Sequence, residues 1–108
     1  MKAQMRKGVL EMCILSLLST KEMYTSDLID HLRNAQLVVV EGTLYPLLTR
    51  LKNEGLLEYY WQESNSGPPR KYFKLTESGQ QFLGELKKSW LEINEAVSLT
   101  SQNNQIHE

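Results

Sequence analysis

Residues 42–57, GTLYPLLTRLKNEGLL, contain the pattern that decides the fold. Four leucines recur at the i, i+3, i+4 and i+7 spacing of one buried helical face: Leu44, Leu47, Leu48 and Leu51. Pro46 is expected in the first turn, where a missing N–H costs little. Gly55 suits the left-handed residue that ends a helix. The stretch therefore predicts an amphipathic helix whose other side is polar: Tyr45, Thr49, Lys52 and Asn53, with Thr43, Pro46 and Arg50 beside them.

Two further helices are predicted before this one. Residues 3–19 follow a helical pattern that is apolar on nearly every side, and such a helix has to be covered on more than one side. In so small a chain, we expect part of that cover to come from a second subunit. Thr25 or Ser26 is the expected N-cap of a short second helix. Residues 37–40 are β-branched or apolar and predict an extended connection to the third helix.

A β-hairpin is predicted after the third helix. Residues 56–62 (LLEYYWQ) and residues 70–75 (RKYFKL) are rich in the aromatic and aliphatic residues that form strands. The seven residues between them, ESNSGPP, are typical of loops, so the hairpin is expected to have a long tip. Helix, short helix, amphipathic helix and hairpin follow one another in the order of a winged helix-turn-helix.

A final helix is predicted from the N-cap residue Thr76 to about Leu99. Its apolar residues are spaced 3, 4, 3 and 4, which is a heptad seam: Leu83, Leu86, Trp90, Ile93 and Val97. About 23 residues at 1.5 Å each span roughly 35 Å, so the helix overhangs the globule and its seam requires a partner. With Val9 of the first helix, these residues are the predicted homodimer interface.

The predicted fold class is mainly α with a β-hairpin wing (α+β). It divides into a winged helix-turn-helix over residues 1–76, a dimerisation helix over residues 77–100 and a polar, disordered tail over residues 101–108.

The composition excludes several classes of protein. A chain of 108 residues suggests one domain, and 41% hydrophobic residues argue against wholesale disorder. A single cysteine, Cys13, forms no disulfide framework and no zinc site, so we expect a cytoplasmic protein with no metal and no cofactor. Cys13 itself is interpreted as a small buried residue rather than a redox sensor. No apolar run reaches the ~20 residues of a membrane span, and no catalytic motif is present, so an enzyme is not expected.

The basic residues concentrate in the predicted winged helix-turn-helix, whose polar third helix and hairpin are expected to contact DNA. Up to Thr76 the sequence has 10 Lys and Arg against 8 Asp and Glu, whereas beyond it the count is 2 against 5. Phosphate binding depends on such a local face rather than on the net charge of −1. The predicted DNA-binding residues lie on the third helix and at the base of the wing: Thr43, Tyr45, Thr49, Arg50, Lys52, Arg70 and Lys71.

Two linked motifs, GTLYPLLTRLKNEGLL at residues 42–57 and GPPRKYFKLTESG at residues 67–79, resemble the PadR family of bacterial transcriptional regulators. The resemblance covers residues 6–97 and implies a dimeric repressor that binds a palindromic operator in double-stranded DNA. Many members have glycine after the tyrosine at the position of Tyr24, where this chain has Thr25. The single C-terminal helix matches the small-sized branch, some of whose members bind flat aromatic drugs between the subunits.

Trp90 has two interpretations. It either fills the dimer core, or it wedges the subunits apart and leaves a slot in which a planar aromatic inducer stacks. The alternative to DNA binding is a winged-helix module used for protein–protein assembly. A salt-dependent interaction with DNA distinguishes the two functions.

Overall fold

The computed structural model describes the backbone of residues 3–106 and the side chains of residues 5–102. Its elements are, in chain order, α1 (Ala3–Thr20), β1 (Met23–Tyr24), α2 (Thr25–Asn34), α3 (Glu41–Asn53), β2 (Leu57–Ser64), β3 (Gly67–Leu75) and α4 (Glu77–Ile106). The predicted winged helix-turn-helix with a long C-terminal helix is confirmed. The two-residue strand β1 is additional to the sequence prediction.

One hydrophobic core joins all the helices to the sheet. The leucine stripe of α3 packs in it beside α1, which contributes Leu10, Ile14, Leu15 and Leu18. The other side of α1 is only half-buried, because Met12, Cys13 and Leu17 lie at the edge of the core. Helix α1 therefore has one buried side and one partly covered side, which agrees with a sequence that is apolar on nearly every side.

Helix α3 begins earlier and ends where the sequence predicts. Glu41 is its first residue, so Pro46 lies in the second turn. The prediction that Pro46 lies in the first turn is therefore wrong. At the other end Gly55 has a φ of +79°. The N–H of Leu56 then donates to the carbonyl of Leu51, and Gly55 to that of Lys52, both at 3.0 Å. This is a Schellman motif, and it confirms Gly55 as the stop residue.

Helix α2 begins differently from the prediction. Tyr24 occupies the N-cap position with extended backbone and no side-chain cap, and Thr25 is already helical and buried. The expected cap at Thr25 or Ser26 is therefore wrong: pairing of β1 with β3 holds Tyr24 extended, and the helix begins at Thr25, earlier than predicted. The C-terminus of α2 repeats the Schellman pattern with Gln36 at a φ of +67°.

The sheet is antiparallel with the strand order β1-β3-β2. The expected long tip is wrong: β2 and β3 continue to Ser64 and Gly67, which pair directly. Only Asn65 and Ser66 turn the chain. A register shift beyond Gln62 places the extra residue in β3, where Pro68 and Pro69 lie. Prolines lack the N–H that a ladder needs, and an irregular edge is where a sheet accommodates them.

Thr76 caps α4 as predicted. Its Oγ1 accepts a hydrogen bond from the N–H of Gly79 at 3.0 Å and donates one to the carbonyl of Gly55 at 2.6 Å. The backbone of Gly79 is packed so closely that an added Cβ would overlap the carbonyl oxygen of Leu56 and lie 2.7 Å from Leu75 Cδ1. The start of α4 is thus fixed to the end of α3 by one cap and one glycine.

Helix α4 is longer than predicted. It extends 30 residues to Ile106, about 45 Å at 1.5 Å per residue, within a molecule whose principal extents are 63 × 27 × 20 Å. The expected disordered tail over residues 101–108 is wrong up to residue 106. No glycine or proline interrupts this segment, and Thr100 Oγ1 donates to the carbonyls of Ala96 and Val97. Residues 107 and 108 lie outside the described part of the chain.

Candidate nucleic-acid interface

The outer face of α3 is polar and exposed. Because the leucine stripe is buried, Tyr45 is turned outward with 42% of its surface exposed. Thr43, Thr49 and Lys52 are also exposed. Tyr45, Thr49 and Lys52 share one helical face, whereas Thr43 lies on the side of α3 that also carries Arg50. Hydroxyl, phenol and ammonium groups are the donors that contact phosphates and base edges in a major groove.

Arg50 lies away from this face. Its guanidinium forms an ion pair with Glu11 of α1, and its Nε lies 3.8 Å from the carboxylate of Glu54. The prediction that Arg50 contacts DNA rests on its charge beside the polar face and on its place in the motif at residues 42–57 that resembles the family. The structure instead assigns it to the contact between α1 and α3, where two carboxylates offset its charge.

The two basic residues of the wing each rest on an aromatic ring. The Arg70 guanidinium lies 4.6 Å from the ring centroid of Tyr24. The Lys71 ammonium lies 4.0 Å from the centroid of Tyr59 and 5.9 Å from that of Trp61. Such cation–π contacts hold a charged group at a defined place without neutralising it.

Helix α3, which takes the place of the recognition helix in a winged helix-turn-helix, and the wing formed by β2 and β3 meet at Tyr59. The Lys52 ammonium of α3 lies 5.6 Å from the same ring that supports Lys71. Among the side chains that the structure describes, Lys52, Arg70 and Lys71 form no ion pair, so their charges remain available to a phosphate. Lys74, nearer the root of the hairpin, is 3.1 Å from Glu58 and is already paired.

A cleft of about 200 Å³ separates the wing from the helices. Its walls combine three elements: the start of α2, the start of α3 and the aromatic and basic residues of the hairpin. Tyr45 and Trp61 both line it, together with Arg70 and Lys71. The structure therefore brings Tyr45 of α3 to one cleft with Arg70 and Lys71 of the wing, whereas Thr43 and Arg50 line a separate groove beside α1.

The opposite face of the hairpin is stabilised by tyrosines. Tyr60 stacks on Tyr72 with ring centroids 5.7 Å apart, and Tyr72 in turn contacts Tyr24. The Tyr60 hydroxyl donates a hydrogen bond to the Glu22 carboxylate, and this bond raises the pKa of Tyr60 above its ordinary value. The contact links the hairpin to the segment before β1.

The apolar residues of α4 divide into two groups. Leu83, predicted at the dimer interface, is 2% exposed and belongs to the core of its own chain, so that prediction is wrong at Leu83. The globule covers the first turns of the helix, and Leu86 is half-buried at the edge of the core. Beyond it Trp90, Ile93 and Val97 are 46%, 58% and 58% exposed. Val9 on α1 is half-buried.

The described residues contain no group of three or more His, Cys, Asp or Glu side chains arranged to hold a metal ion. Across that same part of the chain, no helix is sufficiently long and apolar to cross a membrane. Cys13 is half-buried beside the core, and this burial raises the pKa of its thiol.

Sequence reasoning missed the aromatic residues that support the basic side chains, and it missed the partner of Arg50. Tyr59 and Trp61 alternate along β2, and the strand period of two places them on the face that carries Lys71. The hairpin register therefore held a signal for them. Tyr24 and Glu11 gave no such signal, because their contacts with Arg70 and Arg50 join segments far apart in the chain.

Three helices, a hairpin that extends from a small antiparallel sheet and a basic, polar face on the third helix define a winged helix-turn-helix DNA-binding protein. Residues 14–85 match the family model of the PadR-like transcriptional regulators. The chain belongs to this family and is a DNA-binding transcriptional regulator.

Solved structures of similar sequence agree with this membership. A PadR-like transcription factor from Bacteroides fragilis is 62% identical, with a TM-score of 0.80 over 89% of this chain and 93% of that one. A PadR-like transcriptional regulator from Bacillus cereus is 40% identical, with a TM-score of 0.78 over 89% and 94%. Among curated proteins, for which the comparison is of sequence alone, an uncharacterized protein of Lysinibacillus sphaericus is 32% identical over 86% of this chain and 88% of its own length. The expectation that the chain is not an enzyme agrees with its membership of a family of transcriptional regulators.

Proposed function

We propose that the protein is a cytoplasmic repressor that binds a palindromic operator as a homodimer and is released by a planar ligand. The observation that carries the proposal is that Lys52 and Lys71 share the ring of Tyr59 beside α3, while Arg70, on the other face of β3, lines the same cleft as Lys71 and Tyr45. Because the family consists of transcriptional regulators, DNA is the partner that we assign to this surface, in place of a protein.

The DNA contacts divide into positioning and reading. Lys52, Arg70 and Lys71 face phosphates, which fix the register of the protein without carrying sequence information. Thr43, Tyr45 and Thr49 reach base edges or the flanking phosphates from the exposed side of α3. Arg50 is not included, because Glu11 holds it against α1.

Binding-site selection from a random duplex pool, followed by affinity measurements from 50 to ~300 mM salt, tests this division. Alanine at Lys52, Arg70 or Lys71 should weaken all duplexes alike and reduce the salt slope by about 1 each. Lys74→Ala is the matched control, because Glu58 already pairs with Lys74 and the salt slope should hardly change. If Thr49→Ala leaves the selected base preference unaltered, the reading role of Thr49 is wrong.

The exposed stripe of α4 supports the homodimer. Trp90, Ile93 and Val97 lie on a helix that overhangs the globule, and pairing two such stripes removes them from water. The two recognition helices would then address half-sites about one turn of DNA apart, or a multiple of it.

Ile93→Glu is the decisive variant for the dimer. Ile93 is 58% exposed in the single chain, so the substitution leaves the monomer core intact, unlike a change at the buried Leu83. We expect sedimentation velocity to show dimeric wild type and monomeric Ile93→Glu with unchanged far-UV circular dichroism. A wild-type chain that sediments as a monomer at micromolar concentration contradicts the proposal.

The ligand is proposed to stack on Trp90 between the subunits. An inducer that binds one subunit spacing better than the other shifts the population towards it and releases the operator. Planar dyes should quench Trp90 fluorescence in a Trp61→Phe background, which removes the emission of the exposed wing indole. Dyes that quench without weakening operator binding would show that the slot is not an inducer site. Transcription from an operator-bearing template, measured with and without protein, distinguishes repression from activation.

A further inference from the structure

The ring of Tyr59 is shared by two ammonium groups that come from different elements. Lys52, on α3, is 5.6 Å from its centroid, and Lys71, on β3, is 4.0 Å from it. Phe73 packs beside the ring with the two centroids 6.1 Å apart and contributes to the surface under Lys71, whose ammonium is 5.4 Å away. The pairing of Tyr59 with Phe73 in the sheet places the two residues side by side on the same face of the hairpin.

The shared ring restricts the positions of the two lysine side chains. Two like charges repel, and the long side chains of the exposed Lys52 and the half-buried Lys71 have many rotamers, so the two ammonium groups would move apart in water. An aromatic face attracts both cations and limits that freedom. A phosphate that approaches then meets two ammonium groups that are each held within 5.6 Å of one ring centroid, which lowers the entropy lost on binding.

We propose that Tyr59 is a positioning residue that makes Lys52 and Lys71 a single phosphate-binding unit and so sets the spacing between the recognition helix and the wing. The inference rests on the proposed DNA contacts of these two lysines. It assigns to the ring a role in DNA binding that requires no contact between the ring and DNA.

Tyr60 provides a matched control for Tyr59. The two tyrosines are neighbours on β2 with similar exposure, 40% and 37%. They lie on opposite faces of the hairpin, because strand residues alternate. Tyr60 contacts Tyr72 and Glu22 and lies on the face away from Lys71. Leucine at either position removes a ring of the same size from the same strand, but only Tyr59→Leu removes the ring beneath the lysines.

The affinity for a selected operator duplex should fall about three- to tenfold in Tyr59→Leu, with a shallower salt slope, and hardly change in Tyr60→Leu. Tyr59→Phe keeps the aromatic face and should retain wild-type affinity and slope. Thermal unfolding of all three variants identifies any loss that comes from folding, and Tyr59→Phe keeps the test valid if Tyr59→Leu is unstable.

A double-mutant cycle provides a readout that a purely structural role would not change. In the wild-type background, Lys52→Ala and Lys71→Ala should be non-additive, because each removes half of one unit. In the Tyr59→Leu background the same two changes should become additive. Coupling that persists in Tyr59→Leu, or a Tyr59→Leu variant that matches Tyr60→Leu, overturns the inference while the proposed function stands. If neither lysine variant weakens DNA binding, the proposed phosphate contacts fail and the inference fails with them.

Discussion

Alanine substitution at Gly79 and Gly84 should change stability in opposite directions, although both glycines lie in α4. At Gly79 an added Cβ would overlap the carbonyl oxygen of Leu56 and lie 3.1 Å from its carbonyl carbon and 2.7 Å from Leu75 Cδ1. At Gly84 no heavy atom lies within 4 Å of the same position. The comparison therefore isolates the close approach of α4 to the end of α3.

The magnitude at Gly79 follows from the groups that would have to move. Overpacking a backbone contact costs about 1–3 kcal/mol. A shift of α4 would also strain the Thr76 cap, whose loss costs ~1 kcal/mol, and the 3.1 Å hydrogen bond from the Thr76 N–H to the Leu56 carbonyl. Better helix propensity returns up to about 1 kcal/mol. Gly79→Ala should therefore destabilise the protein by about 2–3 kcal/mol, whereas Gly84→Ala should stabilise it by about 0.5–1 kcal/mol.

Thermal and urea unfolding followed by circular dichroism measure both effects. At ~4–8 °C per kcal/mol, Gly79→Ala should lower Tm by about 10–20 °C and Gly84→Ala should raise it by a few degrees. All proteins have to be compared at one chain concentration, because the proposed dimerisation would make Tm concentration-dependent. A Gly79→Ala variant as stable as Gly84→Ala would refute the argument that Gly79 is required by its contact with Leu56.

Three further changes test other parts of the structure. Gln36→Gly should raise the free energy of unfolding by about 0.5–1 kcal/mol, because Gln36 has a φ of +67° that glycine adopts without strain; an unchanged urea midpoint would contradict this. Burial raises the pKa of Cys13, so a thiol reagent should react more slowly with the native protein at pH 7 than with free cysteine, and equal rates would show an exposed thiol. The hydrogen bond to Glu22 raises the pKa of Tyr60, so the stability it contributes is fully present below the unfolded tyrosine pKa of about 10 and is lost as pH rises through the higher folded value. Glu22→Gln should move the Tyr60 absorbance titration, isolated by difference from Tyr60→Phe, back towards pH 10, and an unmoved midpoint would contradict the assigned cause.

Local chemistry explains the predictions that the structure confirms. The leucine spacing in α3, the stop at Gly55 and the cap at Thr76 each depend on residues within a few positions of one another. Each of these features is stabilised by a local interaction: the periodic burial of a helix face, a left-handed glycine or one side-chain hydrogen bond. They can therefore be predicted from the sequence.

The predictions that are wrong concern segments whose structure depends on the strand or helix that they extend, or on a distant part of the chain. Residues 63–64 and 67–69, which the sequence predicts as loop, form strand because the hairpin ladder extends outward and accommodates the prolines at a register shift. The polar tail continues as helix because nothing in it breaks one. Leu83 fits a heptad seam equally well whether it faces a partner or its own core, and only the position of α4 against the globule decides between them.

By itself, the sequence determined the class of fold, the order of its elements and the polar face of α3, because amphipathic periodicity records which side of each element is buried. It also supplied the motifs by which the chain resembles its family. Only the tertiary structure decided which cations are available. Glu11 draws Arg50 into the contact between α1 and α3, whereas Tyr24 and Tyr59 hold Arg70 and Lys71 at the surface. A charge interacts with whatever the fold brings near it, and that neighbour lies elsewhere in the chain.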